Sequence, residues 1–348
     1  MTFKELETTF NKHLSFDTEP DFLRVVVSTI IANRIDTTPV WLMILGPASS
    51  GKSEILSSMA ASPETYELSM ITPAALISNV HHEKKKGKDE SLLPKLNGKV
   101  LIFKDASTLT TINPNYRSFV FSQLRDAFDG NLSKHTTHGE TRHKAKFGII
   151  MAGTTALEHF KSFDGALGER FIHFRPHLEF DEKVWDKVKK HGSEFSSMKE
   201  ELSDAMCEFL HNVETPDRII YPDEIKPIVE SLAALRTLAI RDSYTKELLQ
   251  PLEVSELPMR VAKQLCTLYT CLLKLIKNHA LALSITKRIA RDSMPLIRLK
   301  VISAILRGID SQKKLAAYFS FSEPYMQRIL QELVILKTIE KTITPVFT

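Results

Sequence analysis

The sequence predicts an α/β fold in which a parallel β-sheet is covered by helices on both faces. Three apolar runs have the character of buried strands, and each ends at a polar or glycine-containing turn: Val40–Leu45, Lys99–Phe103 and Phe147–Ala152. Apolar residues at helical spacing fill the segments before and between them. Continuous apolar strands separated by helices are typical of parallel sheets that are buried on both faces.

Length and composition restrict the class of protein. The chain has 348 residues, 43% of them hydrophobic and 25% charged, which is typical of a globular protein with two or three domains. The three cysteines, Cys207, Cys266 and Cys271, have no disulfide or metal-binding spacing and favour a reducing compartment. No signal-peptide segment begins the chain, and no apolar run approaches the ~20 residues of a membrane span. We therefore expect a cytoplasmic protein without membrane contact.

The first strand leads directly into the most informative motif, which fits the pattern G-x-x-x-x-G-K-[ST]. Its residues are Gly46, Pro47, Ala48, Ser49, Ser50, Gly51, Lys52 and Ser53. The two glycines let backbone N–H groups face a triphosphate, and the helix that begins near Lys52 adds its positive dipole end. Lys52 brings a charge to the β- and γ-phosphate oxygens, and Ser53 offers a hydroxyl to Mg²⁺. The motif therefore predicts a site for ATP and Mg²⁺.

Such a site also needs a carboxylate that holds Mg²⁺ at the end of a neighbouring strand. Asp105 meets this need, because it closes the second apolar strand, 53 residues after Lys52. A glutamate directly after this aspartate often polarises the attacking water, but here Ala106 follows. Either the base comes from elsewhere, with Glu54 and Glu67 as candidates, or hydrolysis is slow.

The second half of the chain is predicted to be helical from Glu182 to Leu283, without strand signals. After Pro295 the pattern predicts three short helices, at 296–307, 311–319 and 322–336, with Ser311 and Ser322 as N-caps. Alternation from Ile335 to Ile343 predicts a short strand pair. Three short helices followed by a small β-wing describe a winged helix.

The third helix of this winged helix is the expected recognition helix. Its outward side chains are predicted to be Tyr325, Gln327, Arg328 and Gln331. Some winged helices bind DNA and others bind a partner protein. The sequence pattern alone is compatible with either kind of partner.

The net charge of +4 is spread unevenly along the chain. The segment from His81 to Lys146 contains 13 Lys/Arg and seven Asp/Glu, and the segment from Lys287 to Thr348 contains 11 Lys/Arg and five Asp/Glu. Each zone therefore carries a net charge of +6. Two basic zones in an otherwise acidic chain indicate two surfaces that face a polyanion such as DNA. Ordinary solvated surface is the alternative for either zone alone.

The first basic zone contains a predicted β-hairpin in residues 129–146, with its turn near Gly139. Its three histidines and Glu140 invite a zinc hypothesis, but their spacing fits no tight ligand set. An exposed polar hairpin is the better interpretation. The charged stretch 81–90 is predicted to be a solvated loop, with nucleic-acid contact as the alternative.

With these motifs in this order, the chain resembles the AAA+ ATPases, a ring-forming P-loop family, and among them the MCM-like helicases. Thr155, after the third strand, is similar to the sensor-1 position that touches the γ-phosphate. Arg170, directly before Phe171, is similar to the arginine finger that reaches the nucleotide of the adjacent subunit. Arg260 is similar to sensor 2 of the helical lid. A structural salt bridge is the alternative for Arg170, and a surface helix position for Arg260.

The resemblance implies a P-loop NTPase of the AAA+ type with four segments. These are N-terminal helices 1–34, an ATPase core 35–180, a helical lid 181–285 and a winged-helix DNA-binding domain 286–348. The hairpin before Thr155 resembles the pre-sensor-1 hairpin that contacts DNA in such rings.

The implied function is an ATP-hydrolysing ring, a hexamer, that acts as an MCM-like motor on DNA in replication of a phage or mobile element. One alternative is a helicase loader or targeting ATPase, which binds DNA and a replication partner protein and uses ATP as a switch. Another is a winged-helix regulator that an ATPase core oligomerises, and that reads a specific DNA site.

Overall fold

The computed structural model describes most of the chain. The described residues are 1–71, 91–159, 170–177, 195–237 and 257–340 without 15, 17, 137 and 138, together with 76, 185, 189, 239, 241–242 and 244–248. The predicted loop 81–90 lies outside them.

Strands and helices alternate in the first half of the described chain, and helices alone follow the last strand. The strands are β1 (Trp41–Leu45), β2 (Thr65–Leu68), β3 (Val100–Phe103), β4 (Asn131–Thr136), β5 (Gly139–Lys144), β6 (Gly148–Gly153) and β7 (Phe171–Phe174). The helices are α1 (Phe3–His13), α2 (Asp21–Ala32), α3 (Lys52–Ser58), α4 (Leu92–Leu96), α5 (Thr108–Thr111), α6 (Pro114–Phe128), α7 (Phe195–Asn212), α8 (Lys226–Arg236), α9 (Met259–Ile276), α10 (His279–Asp292), α11 (Leu296–Leu306), α12 (Gln312–Phe319) and α13 (Glu323–Ile335). Two short 3₁₀ helices lie at Thr155–His159 and Asp223–Ile225. None of the described helices combines the length and the apolar character that crossing a membrane requires.

The centre of the fold is a five-stranded parallel sheet with the order β2-β3-β6-β1-β7 among the described residues. The predicted α/β class and its three apolar strands are confirmed. The apolar pattern does not predict the two outer strands, β2 and β7, which are short and contain the polar residues Glu67 and His173. Because all five strands run in one direction, their carboxyl ends share one edge of the sheet, the carboxyl edge. Their amino ends share the opposite edge, the amino edge.

Alternate residues of each strand pack on opposite faces of the sheet, which explains why the strands are apolar throughout. In β1, Leu42 and Ile44 face a core shared with α2 and α3. Trp41 and Met43 face a second core, which α4 and α6 cover. The indole N–H of Trp41 donates to the backbone oxygen of Phe147 at 3.0 Å, so the ring is satisfied in full burial.

One hydrophobic core joins the N-terminal helices, one face of the sheet and the helices after β7. Helix α1 packs on α7, α2 packs on α9, and α7 packs on α3. Helix α10 packs on β7. The described helices of the predicted segments 1–34 and 181–285 therefore lie together in a layer over the sheet.

The three helices predicted at the C-terminus are confirmed as α11, α12 and α13. Ser311 accepts the backbone N–H of Lys314 at 3.3 Å, as an N-cap does, whereas Ser322 holds the N-cap position without such a bond. Ile335 is the last residue of α13, and turns follow it up to residue 340. The strand pair therefore does not begin at Ile335, and the rest of the predicted wing lies outside the described residues.

One carboxylate fixes this C-terminal bundle to the preceding helices. The carboxylate of Glu332, on α13, forms two ion pairs: its Oε2 lies 2.9 Å from the guanidinium of Arg298, on α11, and its Oε1 lies 3.1 Å from that of Arg241. Arg298 also donates to the backbone oxygens of Leu235 and Thr237 at the end of α8. All three charged side chains are mostly buried, so the network defines how the bundle sits on α8.

Gly148 at the start of β6 offers a test of the packing at the amino edge. Asn33 donates to the backbone oxygens of Thr29 and Val40 and accepts the N–H of Val40, at 2.8, 2.9 and 3.0 Å. A Cβ at Gly148 would lie 2.3 Å from the Asn33 amide nitrogen. We expect Gly148→Ala to lower the free energy of unfolding by about 1–3 kcal/mol, measured by urea denaturation.

A double-mutant cycle identifies the cause of this loss. If the added methyl group acts by displacing the Asn33 amide, Gly148→Ala costs little in an Asn33→Ala background. An undiminished cost in that background would contradict the assigned clash.

Candidate nucleotide-binding site

The loop Gly46–Ser53 joins the end of β1 to α3 at the carboxyl edge of the sheet. Its first backbone N–H, at Gly46, donates to the oxygen of Gly153 at the end of β6, at 3.1 Å. Ser49 and Gly51 have left-handed backbone conformations, with φ of 59° and 72°. Alternation of right- and left-handed residues turns successive N–H groups toward one side, which makes a concave anion-binding surface.

The ammonium group of Lys52 lies over this loop. It donates to the backbone oxygens of Gly46, at 3.1 Å, and Pro47, and to the hydroxyl of Ser50 at 2.8 Å. The Ser50 hydroxyl in turn donates to the Pro47 oxygen at 2.9 Å. Phosphate oxygens at the loop would be acceptors for the same ammonium donors.

The electrostatic surroundings of Lys52 join the loop to the predicted metal ligand. Burial lowers the pKa of the Lys52 ammonium below its ordinary value, and the carboxylates of Glu54 and Asp105 act in the opposite direction. The charges of Lys52 and Asp105 thus interact across the carboxyl edge. A site in which Lys52 binds phosphate and Asp105 binds Mg²⁺ requires the two side chains to be near each other in this way.

Asp105 lies two residues after the end of β3 and is exposed. Its Oδ1 accepts the backbone N–H of Ser107 at 2.9 Å and the Ser107 hydroxyl at 2.5 Å, which fixes the direction of the carboxylate. The next residue, Ala106, donates its N–H to the oxygen of Ala152 in β6 at 2.7 Å. Since only β6 separates β3 from β1, the turn after β3 lies two strand spacings, about 10 Å, from the loop strand.

Thr155 begins the 3₁₀ helix that follows β6 and has an exposed side chain. Thr154, directly after the strand, is half-buried, and its oxygen accepts the N–H of Leu157 at 3.1 Å. Both threonines therefore lie at the carboxyl edge, just after β6, which is the strand between β1 and β3. The sequence singled out Thr155 alone, but its neighbour Thr154 is an equal candidate for contact with phosphate.

Two side chains that the sequence did not single out line the glycines of the loop. A Cβ at Gly51 would lie 3.2 Å from the ring of Phe16, and a Cβ at Gly46 would lie 3.2 Å from the ring of Pro176. Phe16 precedes α2, and Pro176 follows β7. No spacing rule relates them to the loop, so a single sequence carries no signal for them.

A buried ion pair joins the two segments that carry these side chains. Arg288 of α10 pairs with both oxygens of Glu19 at 2.7 Å, and its guanidinium lies 4.8 Å above the ring of Phe174. Glu19 also accepts the backbone N–H of His177 at 2.7 Å. The chain before α2, the end of β7 and helix α10 are thus held together beside the loop.

Arg170 and Arg260 meet at the amino edge instead. Both guanidinium groups lie 5.4 Å from the centre of the Phe128 ring, and Arg170 pairs with Asp129 at 3.2 Å. The side chain of Arg170 is only 8% exposed. Since β1 spans about 17 Å, neither arginine lies near the phosphate loop of its own chain.

The surroundings of Arg170 hold it in place. Burial and the charge of Arg260 lower the pKa of Arg170, whereas Asp129 raises it. The side-chain amide of Gln264 donates to the backbone oxygens of Arg170, at 2.8 Å, and Pro39, at 3.1 Å. The salt bridge that was the structural alternative for Arg170 is therefore present.

The two candidates for the missing base have different surroundings. Glu67 of β2 pairs with Lys104, the residue before Asp105, at 2.8 Å. Glu54 lies in the first turn of α3, where its charge acts on Lys52. Neither carboxylate takes the position that a glutamate at residue 106 would have.

The predicted hairpin is confirmed as β4 and β5, which pair from Asn131↔Lys144 to Thr136↔Gly139. Its base is at the amino edge, where Ala145 donates to the oxygen of Gly130 at 3.3 Å. The turn residues 137–138 lie outside the described residues. Among the described side chains, no group of three His, Cys, Asp or Glu could hold a metal ion.

The outward side chains predicted for α13 divide into two groups. Tyr325 and Gln327 are exposed. Arg328 is half-buried, with its guanidinium 5.7 Å from the Tyr325 ring, and the amide oxygen of Gln331 accepts Arg241 at 3.2 Å. In the second basic zone, Arg288 and Arg298 are already paired inside the protein, so fewer charges face solvent than the count suggests.

The loop residues fit a nucleotide triphosphate with Mg²⁺. A concave backbone and a lysine over it provide the donors that this group needs, and the exposed side chains of Ser53 and Asp105, at the same edge of the sheet, provide oxygen ligands for the metal. A bound Mg²⁺ would neutralise phosphate charge; Ser53 and Asp105 would hold the metal, and Lys52 would bind the phosphate oxygens.

A scan against protein-family models and a search of curated proteins found no match to this sequence. The fold and the loop define an α/β protein whose five-stranded parallel sheet has a P-loop-like sequence at its carboxyl edge.

Gly51 and Gly98 form a matched pair for a test of the loop. Their φ angles are 72° and 73°, but a Cβ at Gly98 would meet nothing within 4 Å. Each Gly→Ala change should lower the free energy of unfolding by about 1–2 kcal/mol through backbone strain. Only Gly51→Ala should also weaken ATP binding, measured by calorimetry, because its methyl group meets Phe16 and alters the loop. Equal ATP affinity of the two variants would argue against the loop as the binding site.

Proposed function

We propose that this chain is an ATP-hydrolysing AAA+ module that forms a ring, a hexamer, and moves DNA in replication of a phage or mobile element, as an MCM-like helicase. The observation that carries the proposal is the arrangement of the carboxyl edge. There the phosphate loop, Asp105 and Thr154–Thr155 follow three strands of one sheet, of which the threonine strand is the middle one.

Each of these groups has a role that its position supports. Lys52 and the loop N–H groups bind the β- and γ-phosphates, and Ser53 with Asp105 holds Mg²⁺. Thr154 or Thr155 contacts the γ-phosphate from the strand between them. The preorganised donors favour the charge that develops during phosphoryl transfer.

The position of Arg170 supports a shared site between subunits. Arg170 and Arg260 lie at the amino edge, about 17 Å from the loop of their own chain, so they act on a nucleotide only in a neighbouring copy. Arg170 must leave Asp129 to do so, since the pair is closed in the single chain.

The hairpin β4–β5 and the C-terminal bundle are the proposed DNA contacts. The hairpin begins at the amino edge, the same edge as Arg170, and the bundle carries the exposed part of the second basic zone. The base of the hairpin is therefore at the edge opposite the phosphate loop.

Lys52→Ala tests the motor directly. We expect at least a ~100-fold loss of DNA-stimulated ATP hydrolysis, because the lysine that stabilises phosphate charge is gone. Lys274→Ala, which removes an exposed lysine paired with Glu214, is the control and should keep full activity. Absence of DNA-stimulated hydrolysis in the wild-type protein, or its persistence in Lys52→Ala, would refute the proposal.

A mixing experiment tests the shared site. Arg170→Ala and Lys52→Ala should each be inactive alone, and an equimolar mixture should recover part of the ATP hydrolysis, because some interfaces then combine an intact Lys52 with an intact Arg170. If Arg170 has only a structural role, Arg170→Ala should lower the melting temperature, and mixing should recover no ATP hydrolysis.

A loader or targeting switch is the second candidate function, and Ala106 is the observation that favours it. Without a glutamate beside Asp105, ATP can act as an assembly signal that is hydrolysed slowly. Strand displacement on a forked duplex separates the candidates: unwinding supports the motor, whereas ATP-dependent assembly on DNA without unwinding supports the switch.

A further inference from the structure

Four aromatic residues lie in a string across the turn between α12 and α13. The ring centres of Tyr318 and Phe319 are 5.0 Å apart, those of Phe319 and Phe321 are 5.9 Å apart, and those of Phe321 and Tyr325 are 5.0 Å apart. The guanidinium of Arg328 continues the string, 5.7 Å from the Tyr325 ring.

The turn itself is built to bring these rings together. Ser320 ends α12 in a left-handed conformation with φ of 56°, and Phe321 donates its N–H to the oxygen of Ala316 at 2.9 Å. This reversal stacks the Phe321 ring on Phe319, with an interplanar angle of 20°. The two phenylalanines are half-buried and pack against the main core.

The two tyrosines stand outside this buried pair. Each meets its phenylalanine neighbour edge-on at 90°, so the phenylalanines hold the tyrosine rings without covering both of their faces. Tyr318 is 57% exposed and Tyr325 is 37% exposed. Two large aromatic side chains are thus exposed to solvent, each in contact with a half-buried ring.

The charges near the string are few and mostly positive. Lys313 and Lys314 are exposed on α12, and Arg328 lies at the other end. Asp310 is 3.9 Å from Lys314, and Glu323 is exposed at the start of α13. Within residues 310–328, three cations face two anions, a net charge of +1. A ligand held here is held mainly by ring contacts, with a few phosphate contacts.

We propose that Tyr318 and Tyr325 form a stacking platform for the unpaired bases of single-stranded DNA, with Arg328, Lys313 and Lys314 beside its phosphates. This inference rests on the proposed function, because it takes DNA as the partner. Aromatic rings next to cations bind single strands without regard to sequence, since every base has a π-face. The C-terminal bundle then holds a separated strand, and reading of a duplex groove by α13 is not its task.

The test measures binding of the full chain, without nucleotide, to a fluorescent oligothymidine and to a hairpin duplex by anisotropy. Tyr318→Ala and Tyr325→Ala should each weaken single-strand binding at least about fivefold, whereas Tyr318→Phe and Tyr325→Phe keep wild-type affinity. Tyr221→Ala is the matched control, because Tyr221 is 58% exposed on a different segment. Because the platform has three cations, it should contribute no more than about −2 to the slope of the logarithm of the affinity against the logarithm of salt.

Three outcomes would overturn the inference. In the first, the alanine variants bind single strands as well as the wild type does. In the second, duplex DNA binds as tightly as single strands, which would favour α13 as a recognition helix in a duplex groove. In the third, the chain hydrolyses ATP but binds no DNA, which assigns the tyrosines to another partner. Failure of ATP binding is a separate result that refutes the proposed function itself.

Discussion

The position of β6 between β1 and β3 is the constraint on which the rest of the structure depends. It places Gly153 where its oxygen accepts the first N–H of the phosphate loop, and Ala152 where it fixes the turn after Asp105. One strand thus aligns both halves of the candidate site. The same parallel direction sends Arg170, before β7, to the opposite edge. The parallel direction of the strands therefore puts the phosphate loop and Asp105 at one edge of the sheet and Arg170 at the other.

Side chains from distant segments complete the site around this frame. Phe16 and Pro176 leave little room for a side chain at the two loop glycines, and Glu19 with Arg288 ties their segments to α10. The ion pair is bidentate and mostly buried, so removal of only one partner should destabilise the protein. The conformation of the phosphate loop therefore depends on how the helical layer packs against it.

The parts predicted from sequence are those with a local physical signature. Apolar strands, the loop with Gly51 and the Ser311 cap each follow from neighbours within a few residues. Polar residues interrupt the short strands β2 and β7, so they lack the continuous apolar run of β3. Glu19 and Arg288 are 269 residues apart, so their pairing leaves no local pattern either. Arg170 and Arg260 were recognised one at a time. Their common contact with Phe128 depends on tertiary packing, which one sequence does not show.

Helix α2 has a consequence for how the chain can be divided. Its residues Val25, Val26 and Ile30 are no more than 1% exposed and cover one face of the sheet. A fragment cut at residue 35, where the motifs of the core begin, would bare that face and also lose the Phe16 ring behind Gly51. Such a fragment would aggregate through its uncovered apolar surface. The smallest piece that folds around the phosphate loop therefore includes α2 and the residues just before it.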